Sequence, residues 1–424
     1  AAVTLVRGRG LLDAARVGPS EIAAELGGLS PGKRHAAELA ADALHRALGR
    51  AARDHARVGA PAAGAGSRTL VAMSGGVDSS VAALLSQSHG EAIAVTLELW
   101  ADPENDGERS CCSASAVAQA RSLAHSLGLP HLTLDLREEF RAGVVEPFMA
   151  GYAAGETPNP CVGCNGHVRL DAMLDLADRL GAGRLATGHY ARVADAEHPD
   201  GPLLRAAVDA AKDQTYMLAA LDPTSLARMA FPLGALTKPE VRALAAEAGL
   251  PVAAKADSQD LCFLAGTDRA RFLQRHGGVG DAPGDVRHVD GRVLGRHRGQ
   301  HRYTVGQRRG LGVFSDEPLY VLDKQAESGQ VIVGPRSALS TARVQLRAVR
   351  LHRDGARVGS VKLRYRSRAL PARLAQPAGA GHHSRLSVAL DDPVDGAAPG
   401  QLACLLDGEL VVGWGTITRP ALAR

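Results

Sequence analysis

The chain has 424 residues, of which 45% are hydrophobic and only 3% aromatic, and its formal net charge is +4. Such a length predicts two to four domains, with cores built from Ala, Val and Leu. The absence of any run of about 18 apolar residues argues against a transmembrane helix, and the first ten residues lack a secretory pattern. These features argue against a membrane-spanning protein, and a cytoplasmic protein with no membrane partner is expected.

Residues 1–60 form the first predicted unit, which is helical and rich in alanine. Three segments, 8–14, 22–31 and 33–44, resemble the carboxy-terminal half of NifU-type iron–sulfur scaffold domains. Those domains have a cysteine after the histidine, whereas Ala36 follows His35 here. The unit is therefore interpreted as a degenerate scaffold fragment that docks a cysteine desulfurase or packs on the rest of the chain. The alternative is a passive helical extension.

A linker of small residues, 61–67, leads into a predicted domain at 68–266 that alternates strands and helices. Predicted strands are 69–73, 92–99, 132–136 and 184–187. Predicted helices are 79–87, 115–127, 167–180 and one that begins with a capping box at Thr237 and Glu240 and ends near Gly249. This alternation predicts an α/β fold with a doubly wound parallel sheet.

A Ser-Gly-Gly turn follows the first of these strands and is the strongest local signal in the chain. Its residues are Ala72, Met73, Ser74, Gly75, Gly76, Val77, Asp78 and Ser79. Glycines let the backbone approach phosphate oxygens, and the amides at a helix start favour an anion. No GxxxxGK[ST] motif is present, and the turn instead resembles the PP-loop of ATP pyrophosphatases, which cleave ATP between its α- and β-phosphates. Asp78 is predicted to bind Mg²⁺ or to order the loop.

Six cysteines are too few for a disulfide scaffold of this size. Cys161 and Cys164 form a CxxC at the start of a predicted helix, where a thiolate is stabilised, and Cys262 is a distant third. These three fit sulfur transfer, with one thiol carrying a persulfide and another resolving it. The alternatives are half of a structural zinc site for the CxxC and a core position for Cys262. Cys111 and Cys112 are interpreted as structural, and Cys404 as a core residue.

The second half of the chain is predicted to form two small β-rich domains, at 267–340 and 341–424, the latter resembling a β-barrel. Predicted strands are 303–305, 319–322, 330–333, 360–365, 385–390, 402–406 and 409–413. One stretch has many basic residues and few acids, and it suits either a phosphate backbone or a merely solvated surface. Its members are Arg343, Arg347, Arg350, Arg353, Arg357, Lys362, Arg364, Arg366, Arg368 and Arg373.

From residue 68 to residue 417 the ordered motifs resemble the tRNA-specific 2-thiouridylase family, MnmA. The motifs are 74–80, 99–100, 111–113, 157–161, 164–165, 187–192, 212–216, 257–263 and 299–311. The resemblance implies a tRNA-uridine 2-sulfurtransferase that binds ATP and the anticodon arm of tRNA. In such enzymes ATP adenylates the C2 oxygen of the wobble uridine, sulfur replaces it, and AMP and pyrophosphate are released.

The resemblance also implies roles for individual residues. Cys164 matches the family's nucleophile, and Cys262 matches its persulfide-carrying cysteine. Residues 72–79 would bind ATP, with Leu97 and Gly188 near the adenine. The positions expected to contact tRNA are Asn159, Pro160, Cys161, His189, Lys212, Asp213, Gln214, Arg364, Tyr365 and Gln401.

Two routes for the sulfur are compatible with these cysteines. Some family members have an acid at the position of Cys161, so Cys161, Cys164 and Cys262 could instead bind a 4Fe–4S cluster whose unique iron holds sulfide. This interpretation is slightly favoured over a persulfide supplied by a cysteine desulfurase or another donor. Two other functions are weighed: a PP-loop synthetase for a small molecule, which needs neither Cys164 nor tRNA, and an iron–sulfur carrier with a vestigial ATP site.

Overall fold

The computed structural model describes residues 1–54, 67–102, 113–194, 197–257, 261–264 and 267–419. The predicted linker residues 61–66, the Cys111–Cys112 pair and residues 258–260 of the 257–263 motif lie outside the described residues. Within the described part, no helix is both long enough and apolar enough to cross a membrane.

The first 54 residues form a unit of four helices. These are α1 (Ala2–Val6), α2 (Leu11–Ala14), α3 (Pro19–Glu25) and α4 (Arg34–Asp54). Val17, Ile22, Ala37 and Ala41 form a small apolar core of the unit's own. The predicted helical character of this part is therefore confirmed.

A parallel five-stranded sheet forms the centre of the next domain. The strands of this region are β1 (Thr69–Ala72), β2 (Ala92–Glu98), β3 (His131–Asp135), β4 (Arg184–Ala186), β5 (Arg192–Ala194), β6 (Leu203–Arg205) and β7 (Met229–Ala230). The sheet has the order β3-β2-β1-β4-β7, and all of its pairs are parallel. Leu70 and Ile93 face one apolar core, whereas Val71 and Ala94 face another. Both faces are therefore buried, and the predicted doubly wound fold is confirmed.

Nine helices are described in the same region. They are α5 (Val77–Gln87), α6 (Ala114–Ser126), α7 (Arg137–Phe140), α8 (Glu146–Ala153), α9 (Pro160–Gly163), α10 (Leu170–Arg179), α11 (Thr215–Leu218), α12 (Pro223–Leu226) and α13 (Lys238–Glu247). A π-helical turn, Cys164–Arg169, joins α9 to α10, so the helix predicted at 167–180 begins in irregular geometry. The capping box of Thr237 and Glu240 is present at the start of α13.

The N-terminal unit packs on this domain along β3. Gly49 of α4 lies so close to β3 that an added Cβ would collide with the Thr133 carbonyl oxygen. The His131 amide donates to the Ala15 carbonyl (2.9 Å), and Nδ1 of His45 lies 2.7 Å from the His131 carbonyl oxygen. Of the roles predicted for this unit, packing on the rest of the chain is therefore observed, whereas docking of a desulfurase stays a prediction.

A small central domain follows, with one helix and a four-stranded sheet. Its elements are α14 (Arg269–Gly277), β8 (Gly284–His288), β9 (Val293–His297), β10 (Tyr320–Gln325) and β11 (Gln330–Gly334). The strand predicted at 303–305 is wrong, because Tyr303 reaches the core of this domain from a loop.

The C-terminal domain is a closed barrel. Its strands are β12 (Ser340–Leu351), β13 (Ser360–Lys362), β14 (Leu370–Leu374), β15 (Gly381–Asp395), β16 (Leu402–Asp407) and β17 (Leu410–Ile417). The order β12-β15-β14-β13-β16-β17 is closed by pairing of β12 with β17. β6 and β5 extend this sheet beyond β17, so a strand pair from the parallel-sheet domain joins the barrel. The predicted succession of an α/β domain and two β-rich domains is confirmed.

Candidate active site

The Ser-Gly-Gly turn lies at the point where the strand order of the parallel sheet reverses. It follows the carboxyl end of β1, and Gly188 follows the neighbouring strand β4. A Cβ at Gly188 would stand 2.8 Å from the Ser79 amide nitrogen, so only glycine allows this contact. Crevices at such reversal points are the usual ligand sites of open α/β sheets.

The turn itself is shaped for an anion. Gly75 has φ +71°, a conformation that favours glycine, and Gly76 precedes the first residue of α5. The Ser79 hydroxyl donates to the Gly76 carbonyl (3.1 Å) and accepts from the Ser74 amide (3.2 Å). The loop is thus fixed by its own residues while the start of α5 provides amide donors, and the residues present fit the phosphates of ATP.

Asp78 is held by two side chains that were not predicted as site residues. Both of its carboxylate oxygens accept from Nζ of Lys238 (2.7 and 2.8 Å), and the Tyr190 hydroxyl donates to one of them (2.9 Å). Burial and the adjacent carboxylate raise the pKa of Tyr190, so the hydroxyl stays protonated. Of the two roles predicted for Asp78, this arrangement favours ordering of the loop.

Lys238 also links the loop to the segment that precedes Cys262. Its Nζ lies 2.8 Å from Asp257, which in turn pairs with Lys212 at 2.8 Å. Burial opposes ionisation of Asp257, but hydrogen bonds from Lys212 and Lys238 hold its pKa below the ordinary value. Lys212 is therefore engaged by an acid within the protein.

The CxxC lies on α9 and the π-helical turn after it. The Asn159 side chain caps α9 by accepting from the Cys161 amide (3.1 Å). Cys164 is buried, and Cys161 is partly exposed. Cys262 is partly exposed and packs against the same apolar core that contains Cys164. Its neighbour Phe263 is anchored there by several aromatic rings.

The segment 212–217 connects the ATP loop with the cysteine helix. Gln214 exchanges two hydrogen bonds with the backbone of Tyr190, both 2.9 Å long. Three residues later, the Met217 carbonyl accepts from the Asn165 side chain (3.1 Å), and the Met217 sulfur lies 3.8 Å from Nδ2 of the Asn159 side chain. The predicted ATP and sulfur residues are thus brought to one region by this segment.

Several residues predicted to contact tRNA surround the same region. The Tyr365 ring from the barrel lies 6.3 Å from the ring of Tyr216, and Arg364 beside it is exposed. Gln401 donates to the Thr157 carbonyl (2.5 Å), two residues before Asn159. Burial lowers the pKa of His189 to about 3, so its imidazole is neutral. Asp213 is used internally, since it accepts from the Ala207 amide and the Thr215 hydroxyl.

The basic stretch of the barrel is not one continuous basic face. Arg353 is buried and donates to the backbone of residues 200–201. Arg347, Arg357 and Arg373 pair with Glu156, Asp407 and Asp391. Since these charges are compensated within the chain, fewer than the ten basic residues of the stretch are available to contact tRNA.

Cys161, Cys164 and Cys262, the three predicted cluster ligands, are not arranged around a single metal ion in this structure. Within residues 1–54, 67–102, 113–194, 197–257, 261–264 and 267–419, no three His, Cys, Asp or Glu side chains are close enough to hold a metal ion. A 4Fe–4S cluster spaces its thiolates more widely than a single metal ion does, so a cluster on Cys161, Cys164 and Cys262 stays a prediction.

Lys238 is the clearest residue that the sequence analysis missed. It was assigned only to the start of a capped helix, yet a lysine at the first position of a helix opposes the positive end of the helix dipole. That conflict is a signal that the side chain has another partner. Tyr190 and Asp257 lay in recognised motifs, but nothing local indicated that they would meet Asp78 and Lys238.

Three family models match consecutive parts of the chain. The tRNA methyl transferase HUP domain matches residues 67–266, the tRNA methyl transferase PRC-barrel domain matches 270–335, and the aminomethyltransferase beta-barrel domain matches 343–417. These regions correspond to the parallel-sheet domain, the central domain and the closed barrel.

One relative matches nearly the full chain, and two others match most of it. A bifunctional protein NifU/MnmA from Rubrobacter xylanophilus is 45% identical over 425 residues, which cover 98% of this chain and 84% of that protein. A tRNA-specific 2-thiouridylase MnmA from Xanthobacter autotrophicus is 44% identical over 84% of this chain and 94% of its own. The corresponding protein of Solibacter usitatus is 42% identical over 82% and 98%.

Proposed function

Because this chain belongs to the MnmA family of tRNA-specific 2-thiouridylases, we propose that it makes 2-thiouridine at the wobble position of tRNA with ATP as co-substrate. The observation that carries the proposal is the segment 212–217, which contacts Tyr190 beside the ATP loop and Asn159 and Asn165 beside the cysteines. The uridine must first be adenylated at the ATP loop and then receive sulfur from a cysteine. The ATP loop and the cysteines therefore have to lie close together.

In the first step the C2 oxygen of the uridine attacks the α-phosphate of ATP, and pyrophosphate leaves. Backbone amides of the turn at Gly75 and Gly76 and the start of α5 would bind the phosphates. Lys238 and Tyr190 would act indirectly by holding Asp78 and so the shape of the loop. The product is an O-adenylated uridine, in which AMP is a good leaving group. Mg²⁺ would enter bound to the phosphates of ATP.

In the second step the terminal sulfur of a Cys262 persulfide attacks C2 of the base, and AMP leaves. The base is then joined to Cys262 through two sulfur atoms. The Cys164 thiolate attacks Sγ of Cys262, which releases 2-thiouridine and leaves a disulfide between the two cysteines. A thiol reductant then restores both thiols, and a desulfurase-type donor reloads Cys262.

The substrate would be the anticodon arm of tRNA, with its wobble base turned out of the stack into the pocket. Arg364 supports this assignment because it is exposed beside Tyr365, whose ring reaches Tyr216. Asn159 and Pro160 would border the base, since they immediately precede Cys161 at the start of α9. The roles of Lys212, Gln214 and Gln401 would be to shape this pocket through the contacts described above.

The test is single-turnover thiolation by the full chain. The protein, freed of metal, receives ATP, a cysteine desulfurase with cysteine, and a tRNA transcript with a wobble uridine. Pyrophosphate is assayed directly, and 2-thiouridine is assayed by mass spectrometry of the digested tRNA. Cys164→Ala and Cys262→Ala are compared with Cys161→Ala and with Cys404→Ala, a buried cysteine of the barrel.

We expect the Cys164 and Cys262 variants to release pyrophosphate at the normal rate but to make no 2-thiouridine. The Cys161 and Cys404 variants should thiolate within about twofold of the unchanged protein. A requirement for Cys161 together with a reconstituted iron–sulfur cluster would replace the persulfide route. Pyrophosphate release that is independent of tRNA but dependent on a small acceptor would overturn the function in favour of a synthetase.

A further inference from the structure

The N-terminal unit has no role in the reaction as proposed, yet it is connected to the ATP loop through one helix. That helix is α6, which contacts α4 of the N-terminal unit on one side and the turn at Gly75 on the other. The inference rests on the proposed ATP site, and the two sets of contacts are independent of each other.

On its first side, α6 is held by a buried ion cluster. The Arg121 side chain is only 1% exposed, although arginine is almost never fully buried without partners. Its guanidinium donates to Glu38 (2.7 Å) and to Asp42, and both acids belong to α4. The charge of Arg121 is therefore compensated by the N-terminal unit.

On its other side, α6 supports the turn that would bind phosphate. A Cβ at Gly75 would stand 3.2 Å from the Ala116 carbonyl oxygen and 3.4 Å from the Ala120 amide nitrogen. The Gln119 side chain accepts from Nζ of Lys255 (2.6 Å), and the same Nζ donates to the Gly75 carbonyl (3.1 Å). Residues 116–120 thus contact the turn directly and through Lys255, and Arg121 is the next residue.

We propose that the N-terminal unit positions the ATP loop, with Arg121 as the positioning residue. While Glu38 and Asp42 hold Arg121, α6 stays at the distance from Gly75 that the turn requires. Removal of the acids leaves an uncompensated buried guanidinium, which is strongly unfavourable. Arg121 then moves toward water, and α6 and the Gly75 turn shift with it. The degenerate scaffold fragment would thus serve the thiolase as part of its ATP site.

The test measures ATP affinity separately from thiolation. Calorimetry gives the Kd of a non-hydrolysable ATP analogue, and pyrophosphate release gives the KM values for ATP and for tRNA. The variants are Glu38→Gln with Asp42→Asn, Arg121→Met and the conservative Arg121→Lys. The matched control is Arg53→Met, which removes the ion pair of α4 with Glu139 but does not involve α6. Thermal unfolding establishes that each variant is folded.

We expect the Kd and KM for ATP to rise about tenfold in the Glu38/Asp42 and Arg121→Met variants and by less in Arg121→Lys. The KM for tRNA should change less than twofold, and the control should match the unchanged protein. An unchanged ATP affinity in a folded Glu38/Asp42 variant overturns the inference, as does an equal loss in the control. If the unchanged protein binds ATP but does not thiolate tRNA, the proposed function fails while the Kd values still decide this inference. If it binds no ATP, both fail.

Discussion

At the scale of single residues, Asp78 shows how this ATP loop is stabilised from outside its own motif. An aspartate at the first turn of a helix repels phosphate unless its charge is compensated. Lys238 supplies that compensation from α13, with both carboxylate oxygens within 2.8 Å of its Nζ. A substitution far from the motif in sequence should therefore weaken the use of ATP by the enzyme.

Lys238→Met should lower kcat/KM for ATP by roughly 10–100-fold, because the loss of one partner of a close ion pair leaves Asp78 uncompensated beside the phosphates. Pyrophosphate release measures the effect. Thr237→Ala is the matched control, since it removes the capping box of the same helix and leaves the ion pair intact. An equal loss in the control would mean that stability of α13, and not the charge of Lys238, matters.

Lys324 provides a test by pH. It is 1% exposed in the central domain, where its Nζ donates to the Glu156 carbonyl (3.1 Å), and burial lowers its pKa to about 8. Between this value and the ordinary 10.5, the unfolded chain binds a proton that the folded protein has lost, so folding stability rises with pH.

The free energy of unfolding of the unchanged protein, minus that of Lys324→Met, should therefore increase by roughly 1–2 kcal/mol between pH 8 and about 9.5. Urea unfolding at both pH values measures this difference. The same subtraction with Lys33→Met, an exposed lysine, should give no such increase. A difference for Lys324 that does not vary with pH would show that the ammonium keeps its proton.

The residues expected to bind ATP or carry sulfur could be predicted from sequence, whereas the residues that hold them in place could not. Ser74 to Asp78 and the cysteines stand in motifs whose spacing reflects the reaction. Lys238 and Tyr190 act through Asp78, which is more than a hundred residues away in sequence. No local pattern encodes such a contact, because it arises only when β4 and α13 pack beside α5.

At the scale of elements, α4 packs directly on β3, the last strand of the parallel sheet. Gly49→Ala should destabilise the packing of α4 by about 1–2 kcal/mol, because the added methyl group collides with the Thr133 carbonyl oxygen. The cost of this collision exceeds the gain from the better helix propensity of alanine. Hydrogen exchange of the α4 amides measures the effect. Gly32→Ala is the control, since nothing lies within 4 Å of its Cβ position. Equal protection of α4 in both variants would contradict the close contact.

The strand β12 shows why the β-rich half was harder to predict. Val344, Leu346 and Leu351 are buried along it, but several arginines intervene and a residue of positive φ, Ala348, interrupts the alternation. The apolar period was therefore hidden within what was described as a basic stretch. By contrast β1 and β2 are almost continuously apolar, as strands buried on both faces are.

At the scale of the whole molecule, the domains meet just before the cysteine helix. Lys324 of the central domain and Arg347 and Gln401 of the barrel all contact Glu156 or Thr157. This convergence could not be predicted from sequence, since the contacts join residues of three different domains that are far apart along the chain. Binding of tRNA to either β domain would therefore be transmitted to the residues just before α9.

Arg364→Ala should weaken the binding of tRNA whatever its nucleotide sequence. It should also reduce the magnitude of the slope of log K against the logarithm of the salt concentration by about one, as the loss of one phosphate contact does. Filter binding at several salt concentrations measures both quantities. Arg373→Ala is the control, because Arg373 already pairs with Asp391 in the same barrel. If the two variants have the same slope, Arg364 makes no phosphate contact.

The contacts along β3 have a consequence for the protein in a crowded cell. β3 is the last strand of its sheet, and α4 packs along its free edge. The outward carbonyl groups of His131, Thr133 and Asp135 lie against His45, Gly49 and Arg53 of α4. The His131 amide donates to the Ala15 carbonyl. An uncovered last strand invites pairing with another chain. The first 54 residues cover this strand, so their removal should expose it and produce oligomers even where the enzyme still folds.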